Sequence, residues 1–290
     1  MQKRHLYQIL KPALKIAFTL LALWLVYTKV DFAALRKLWA GAVAWPLIIA
    51  LIAFIFSQFI SSFRVLQFFH NVQIPIPVIE NFKLYLLGMF YNLFLPGGIG
   101  GDGYKILVLK KRYNVTHKDV FTAVFFDRLS GLWALGFLLA ILSFFLPQLK
   151  EYKLLTAAGF FTGTVIYFFV LKFFFKRVHQ RFFITHALAI GVQGFQLICV
   201  AFILRALGHT DYYASYFFIF LLSSLSSLFP FSVGGLGARE VAIMWGAATL
   251  DLDKDVSVSV SLCFYFISLI MALCAVPLLF KKDQSATSSL

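Results

Sequence analysis

Long apolar runs are the feature that most constrains the fold of this 290-residue chain. A membrane-spanning helix needs about 20 mostly apolar residues to cross a hydrocarbon core roughly 30 Å thick. Six runs meet this requirement, at approximately Ala13 to Val30, Val43 to Phe63, Val120 to Leu146, Leu154 to Phe175, Thr185 to Leu204 and Val258 to Phe280. The sequence therefore predicts an all-α polytopic membrane protein.

The composition indicates a single membrane domain over residues 1–290 and no soluble domain. Charged residues make up 13% of the chain, about half of the roughly 25% that is usual in soluble proteins, and the loops are short. Basic residues precede the run from Ala13 to Val30, as in a signal peptide, but no small-residue cleavage site follows it directly. We therefore expect this run to be the first membrane helix.

Two glycine-rich breaks interrupt further apolar regions, one at residues 95–103 (LPGGIGGDG) and one at residues 229–237 (FPFSVGGLG). Backbone released from a helix at membrane depth has no water to bond, so such breaks persist where they are buried in protein or line a cavity. Matched breaks in the two halves of a chain point to the binding site of a transporter. The regions that contain them are Phe82 to Leu109 and Tyr212 to Leu250.

The distribution of Lys and Arg predicts how these regions enter the membrane, because short cytoplasmic loops carry an excess of both residues. The basic segments at 3–11, 110–118, 172–181 and 281–282 share the cytoplasmic side only if both broken regions turn back. This arrangement has six full transmembrane spans plus two re-entrant broken-helix hairpins of opposite orientation, an inverted repeat like that of many secondary transporters. It places both termini in the cytoplasm, although the halves share no convincing residue-level repeat.

Residues around the first break are candidates for binding an anionic group. Asp102 is the predicted N-cap of the returning helix, whose N-terminal amides favour a phosphate and to which Lys105 adds positive charge. Asn92, one turn before Pro96, is predicted to satisfy carbonyls that the break releases. The alternative is that the glycines only allow a sharp turn or close helix packing. The candidate glycines are Gly97, Gly98, Gly100 and Gly101.

The second break also has candidate residues for binding an anionic group. Arg239 follows it in a helix-forming segment and is predicted to add charge to the site, as Lys105 does at the first break. Glu240 has two interpretations, since an intramembrane carboxylate can couple proton movement to transport and an internal ion pair with Arg239 explains it as well. The candidate glycines of this break are Gly234, Gly235 and Gly237.

Charged side chains near the ends of apolar runs form a third group of candidates. Asp127 and Arg128 occur near the cytoplasmic start of a run, and a charge at a helix centre costs about 2.5–3.5 kcal/mol on insertion scales. In the functional interpretation Arg128 holds an anionic headgroup that Asp127 orients; in the structural one the pair caps the helix at the interface. Arg64 follows a polar stripe with Ser57 and Gln58, and it either lines a water-filled path or marks the membrane exit.

These elements together resemble the lysylphosphatidylglycerol synthase transmembrane-domain family of flippase-like membrane proteins. The matching segments are 92–103 (NLFLPGGIGGDG), 127–132 (DRLSGL) and 229–240 (FPFSVGGLGARE), and the resemblance covers nearly the whole chain. It implies translocation of lipids, aminoacylated phospholipids or polyprenyl-linked sugars across the cytoplasmic membrane. Some members carry a soluble aminoacyl-transferase domain after this region. Because this chain ends at Leu290, we expect a separate enzyme to modify the lipid.

The leading hypothesis is the flipping of an anionic lipid or a polyprenyl-phosphate-linked headgroup, without catalysis, cofactor or metal. The cysteines lie in apolar segments and the histidines mostly in loops or at helix ends, and neither has the spacing of metal ligands; we expect the histidines to be solvated. The net charge of +14 reflects topology, since no nucleic-acid-binding motif accompanies it. The two alternatives are an integral membrane transferase acting on a lipid phosphate and a secondary transporter of small anions.

Overall fold

The computed structural model describes residues 32–94, 100–226 and 238–280. Within these residues the chain is helical and has no strand, which confirms the predicted all-α class. A 3₁₀ helix, Pro147–Tyr152, precedes the sixth of the α-helices. The α-helices are α1 (Phe32–Ala40), α2 (Ala44–Asn71), α3 (Val78–Phe94), α4 (Gly100–Tyr113), α5 (His117–Ser143), α6 (Lys153–Phe174), α7 (Lys176–His179), α8 (Phe182–Ala206), α9 (Tyr213–Ser226), α10 (Ala238–Thr249), α11 (Lys254–Leu273) and α12 (Val276–Phe280).

Five helical segments of the described chain are long and apolar enough to cross a membrane, and they correspond to five of the six predicted runs. The remaining predicted run, Ala13 to Val30, lies outside the described residues. The chain is therefore a multi-pass membrane protein. The five segments are Ala44–Asn71, His117–Ser143, Pro147–Phe174, Phe182–Ala206 and Lys254–Leu279.

The helix α2 continues well past Phe63, where the apolar run was predicted to end. Its second half keeps an apolar face that is fully buried, including Leu66 and Phe69. Burial of such side chains stabilises a helix more than local propensity does. Arg64 consequently lies inside α2, well before its end, and its side chain is buried.

Each of the two broken regions forms a pair of short helices, α3 with α4 and α9 with α10, and the helices of each pair pack against one another. The four helices have 17, 14, 14 and 12 residues, fewer than the roughly 20 that a full crossing needs. In the first pair the backbones approach closely, because a Cβ on Gly101 would lie 1.9 Å from the carbonyl oxygen of Gly88. Gly101 therefore permits this crossing.

One buried cluster gathers the end of α2, the start of α5, the end of α6 and the start of α8, through residues such as Phe69, Val120, Leu171 and Phe182. The same cluster contains Leu109 near the end of α4. The pair α3–α4 therefore starts and returns at this end of the bundle. The loops at this end carry the basic segments 110–118 and 172–181 that were predicted to share one side of the membrane.

A second buried cluster occupies the other part of the bundle and combines the first half of α2, the second half of α8, and α9, α10 and α11. Tyr216, near the start of α9, belongs to this cluster together with Leu252, which follows α10. The pair α9–α10 thus also starts and returns at one end. Asp253 caps α11, where its carboxylate accepts backbone N–H bonds from Asp255 and Val256.

Candidate functional site

An ion pair between α2 and α5 lies inside the helix bundle. Nε of Arg64 donates to Oδ1 of Asp127 at 2.8 Å, and the two side chains are 8% and 11% exposed. A buried charge is costly unless it is paired, so each side chain depends on the other. Gly131 follows one turn after Asp127, and a Cβ there would lie 3.2 Å from an Nη atom of Arg64. This glycine leaves space for the guanidinium.

A second group of charges joins α4 to α5 through Asp102. One of its carboxylate oxygens lies 3.6 Å from Nζ of Lys105, and the other accepts a hydrogen bond from Nε of Arg128. The side chains of Asp102 and Lys105 are buried, whereas that of Arg128 is 39% exposed. The structure therefore brings these three predicted site residues together and keeps Arg128 accessible at the edge of the group.

Neither Asp102 nor Asp127 acts as a helix cap, which corrects two interpretations of the sequence. Helix α4 begins at Gly100, so Asp102 lies within its first turn rather than at the predicted N-cap. Helix α5 begins at His117 with Thr116 as its N-cap, so Asp127 lies in the helix interior. The reason is the same for both acids, because each carboxylate binds basic side chains from a neighbouring helix or turn.

Asn92 binds the opposite backbone group from the one predicted. Its Oδ1 accepts a hydrogen bond of 2.8 Å from the N–H of Gly101, whereas the prediction was that it satisfies carbonyls. An amide in the first turn of a helix has no partner within the helix, and Asn92 supplies one across the break. Gly100 and Gly101 begin α4. The predicted glycines outside the described residues are Gly97, Gly98, Gly234, Gly235 and Gly237.

Lys105 extends the charged group towards α2 through Tyr85, a residue that the sequence did not single out. Its Nζ lies 5.2 Å from the centre of the Tyr85 ring, and the Tyr85 hydroxyl donates to Oε1 of Gln58 at 2.8 Å. Gln58 in turn donates to Oγ of Ser57. A Tyr inside an apolar segment carries a hydroxyl that needs a polar partner, which is the signal in the sequence that could have identified Tyr85.

Arg239 and Glu240 lie at the start of α10 and contact residues of neighbouring helices. The guanidinium carbon of Arg239 lies 4.5 Å from the ring centre of Phe220 and 4.7 Å from that of Phe264. Its Nε and Nη2 atoms are buried and have no hydrogen-bond partner among the described residues. Glu240 is 2% exposed and accepts a hydrogen bond of 2.9 Å from Oγ of Ser261. Nε and Nη2 of Arg239 are therefore buried donors without an acceptor in the described part of the chain.

Two apolar clefts lie on the surface of the bundle, apart from these charges. One has a volume of about 420 Å³ and is lined by residues of α1, α2 and α11, including Trp39 and Phe266. The other has a volume of about 500 Å³ and is lined by residues of α5 and α6, including Gly136 and Phe160. Among the described residues, no charged side chain lines either cleft, so the clefts suit hydrocarbon rather than a headgroup.

The charged group centred on Asp102 has the chemistry to bind a phosphate. The guanidinium of Arg is planar and can make two parallel hydrogen bonds to a phosphate. Arg128 is the accessible cation of the group, and Lys105 adds a buried positive charge to it. Arg64 binds Asp127, the residue that precedes Arg128.

Comparison with known proteins identifies a family. The family model described as the lysylphosphatidylglycerol synthase TM region matches the chain at residues 13–196 and 174–275. These ranges include every candidate site residue from Arg64 to Glu240. No match was found among curated proteins.

Proposed function

Because the chain belongs to the lysylphosphatidylglycerol synthase TM region family, we propose that it moves the headgroup of an anionic lipid between the two leaflets of the cytoplasmic membrane. The observation that carries this proposal is the accessible Arg128 on a buried group of charges inside an apolar bundle. Polar and ionisable residues within membrane helices are expensive to bury and mark substrate pathways.

The physical task is to keep a phosphate stable while it passes the hydrocarbon core. A phosphate that leaves water loses its hydration, and even a single charged side chain costs about 2.5–3.5 kcal/mol or more at the centre of a membrane helix. A bidentate bond from Arg128 offsets part of that loss. Lys105 and Arg64, both buried, raise the positive potential around it.

Arg239 supplies a second contact in the other half of the chain. Its Nε and Nη2 atoms, which have no hydrogen-bond partner among the described residues, can donate to a polar group of the lipid. The rings of Phe220 and Phe264 hold the guanidinium plane in position, since a cation over an aromatic face is attracted to it. Glu240, bound to Ser261, keeps a carboxylate beside this contact.

The proposed membrane arrangement has six spans and two re-entrant pairs, α3–α4 and α9–α10, which enter from opposite faces as an inverted repeat. The pairs are each too short for two full crossings and each return to the end at which they start. The loops rich in Lys and Arg share one end of the bundle, and the positive-inside rule assigns that end to the cytoplasm. Both termini then face the cytoplasm.

In this mechanism the acyl chains stay in the bilayer or in the apolar clefts while the headgroup passes through the charged site. The clefts lined by Trp39 and by Gly136 open on the surface of the bundle, where a hydrocarbon chain can lie. The protein supplies no catalytic step. A separate enzyme makes or modifies the lipid that is carried.

The experiment that tests this function uses the purified chain in liposomes that contain a fluorescent anionic phospholipid. A membrane-impermeant quencher removes the signal of the outer leaflet only. We expect the protected fraction to fall over time in liposomes with protein and to stay constant in liposomes without it. The lipid recovered afterwards should be chemically unchanged.

Two other results would contradict the proposal and favour the alternatives. A modified lipid product would indicate a membrane transferase. Uptake of free phosphate into the liposomes without any lipid movement would indicate a transporter of small anions. The first alternative needs a nucleophile and base that act on the lipid phosphate, and the second needs a polar path wide enough for a hydrated ion.

A further inference from the structure

We infer that Asp102 makes the site selective for headgroups with one negative charge. Asp102 holds Arg128 until a phosphate of that charge replaces Asp102 as the partner of Arg128. This inference rests on the proposed lipid translocation and adds the role of one residue to it. It follows from the ion pairs that five charged side chains of the site form with one another, namely Arg64, Asp102, Lys105, Asp127 and Arg128.

The two carboxylates of the site have unequal numbers of partners. Asp127 binds Arg64 in a close pair of 2.8 Å. Asp102 binds two cations, Lys105 on its own helix and Arg128 on α5. If Arg128 turns from Asp102 to a ligand, Asp102 still has Lys105 within 3.6 Å. The exchange therefore leaves no buried carboxylate without a cation, which would be costly.

Arg128 is also the most exposed of the three cations in the group. Its side chain is 39% exposed, against 8% for Arg64 and 7% for Lys105. A long side chain at the edge of the group can rotate towards a headgroup without opening the buried interior. Arg64 and Lys105, in contrast, are enclosed by α2, α3 and α5.

The charge of the group favours a ligand with a single negative charge. Arg64, Lys105 and Arg128 stand against Asp102 and Asp127, which leaves one positive charge. A phosphodiester carries one negative charge and neutralises the group. A phosphomonoester carries about −1.5 to −2 at pH 7, and its second charge would be repelled by the two buried carboxylates, since like charges nearby disfavour one another.

The first test compares two probes in liposomes with the unmodified protein. Fluorescent phosphatidylglycerol is a phosphodiester, and equally labelled phosphatidic acid is a phosphomonoester. We expect phosphatidylglycerol to move about tenfold faster at pH 8, and we expect this ratio to fall towards one at pH 5, where a monoester with a second pKa near 6 carries about one charge. Equal rates for the two probes at pH 8 would overturn the inference.

The second test removes the negative charge with Asp102→Asn. The group then carries a net charge of +2, so phosphatidic acid should move faster relative to phosphatidylglycerol. The ratio of the phosphatidylglycerol rate to the phosphatidic acid rate at pH 8 should therefore fall by about tenfold. Glu80→Gln is the control, because Glu80 pairs with Arg112 at an exposed site, and its ratio should match that of the unmodified protein. An unchanged ratio in folded Asp102→Asn would refute the role of Asp102.

These results separate the inference from the function on which it rests. Movement of lipid without discrimination by charge would overturn the role of Asp102 and leave translocation intact. Absence of any lipid movement by the unmodified protein would contradict both. A labelled polyprenyl phosphosugar, which is also a phosphodiester, forms a third arm, and its movement beside or instead of phosphatidylglycerol identifies the source of the headgroup. If Asp102→Asn gives no folded protein, the pH comparison with the unmodified protein still decides whether the site discriminates lipids by charge, and equal rates at pH 8 would overturn the inference.

Discussion

The strongest prediction for a single residue concerns Asp127, which pairs with Arg64. Asp127→Asn leaves the buried Arg64 charged and without its partner. Removing one member of a buried ion pair costs about 3–5 kcal/mol, so we expect a clear fall in the thermal midpoint of the purified protein. Fluorescence-detected size-exclusion chromatography after heating measures this midpoint.

The control for this prediction is Glu80→Gln. Glu80 pairs with Arg112 at 2.8 Å, but their side chains are 38% and 30% exposed. Solvent screens such a pair, and its contribution is at most about 1 kcal/mol. The midpoint of Glu80→Gln should therefore stay near that of the unmodified protein. Similar losses in both variants would contradict the burial argument.

Arg239 is predicted to matter more for transport than for folding. Arg239→Ala removes the donors that are proposed to bind lipid, whereas Arg239→Met keeps much of the packing between Phe220 and Phe264 without the charge. We expect both variants to slow lipid movement by about tenfold or more, with a smaller loss of folded protein. Loss of yield in proportion to loss of transport would show that Arg239 is structural.

The residues that carry charge in the site could be identified from the sequence, but their partners could not. Asp127 and Arg64 stand out because charges are rare in apolar runs, yet they are 63 positions apart and their contact depends on how α2 packs on α5. For His186 the prediction was wrong about burial. It was expected to be solvated, but it is 4% exposed and its ring stacks on Phe182, because neighbouring aromatic residues enclose it.

At the scale of elements, the crossing of α3 and α4 depends on Gly101. Gly101→Ala would place a Cβ 1.9 Å from the carbonyl oxygen of Gly88, and backbone atoms cannot move aside as a flexible side chain can. Overpacking of this kind costs about 1–3 kcal/mol or more. We expect a lower thermal midpoint together with weaker protection of the Gly101 amide in hydrogen exchange.

Gly103→Ala is the matched substitution on the same helix. A Cβ on Gly103 would meet nothing within 4 Å, and alanine is favoured over glycine inside a helix by about 0.5–1 kcal/mol. The midpoint should therefore stay the same or rise slightly. A large loss in Gly103→Ala, or none in Gly101→Ala, would be incompatible with the close crossing of α3 and α4.

Helices could be predicted from apolar length, but their ends could not. The run at Leu154 to Phe175 corresponds closely to α6 (Lys153–Phe174), because most of this helix is exposed and its composition alone determines it. Helix α2 extends beyond its predicted end because its second half finds a buried partner. Helix α4 begins at Gly100 because Asn92 accepts the Gly101 N–H, a contact across the break that no local pattern contains.

For the whole molecule, the proposed topology predicts which loops share a face of the membrane. Single cysteines in a cysteine-free background replace the exposed residues Lys118, Gln180, Gln148 and Thr210. Lys118→Cys and Gln180→Cys should react with an impermeant thiol reagent only from the cytoplasmic side. Gln148→Cys and Thr210→Cys should react only from the opposite side. Labelling of all four from one side would disprove the six-span arrangement.

The grouping of the basic loops could be derived from charge before any packing was known. Segments 110–118 and 172–181 were assigned to one side by the excess of Lys and Arg, and the structure gathers the ends of α4, α6 and α2 into one buried cluster. The assembly of the site was not predictable in the same way. Lys105, Tyr85 and Gln58 meet only because α3 and α4 fold back towards α2.

The most direct measurement of the central claim is the rate of lipid movement per folded molecule for Arg128→Ala. Arg112→Ala is the comparison, since Arg112 belongs to an exposed pair on α4 with Glu80. If Arg128 holds the headgroup phosphate, Arg128→Ala should move phosphatidylglycerol about tenfold more slowly or worse, while Arg112→Ala keeps nearly the rate of the unmodified protein. Equal rates for Arg128→Ala and the unmodified protein would contradict the claim that this cation carries the headgroup.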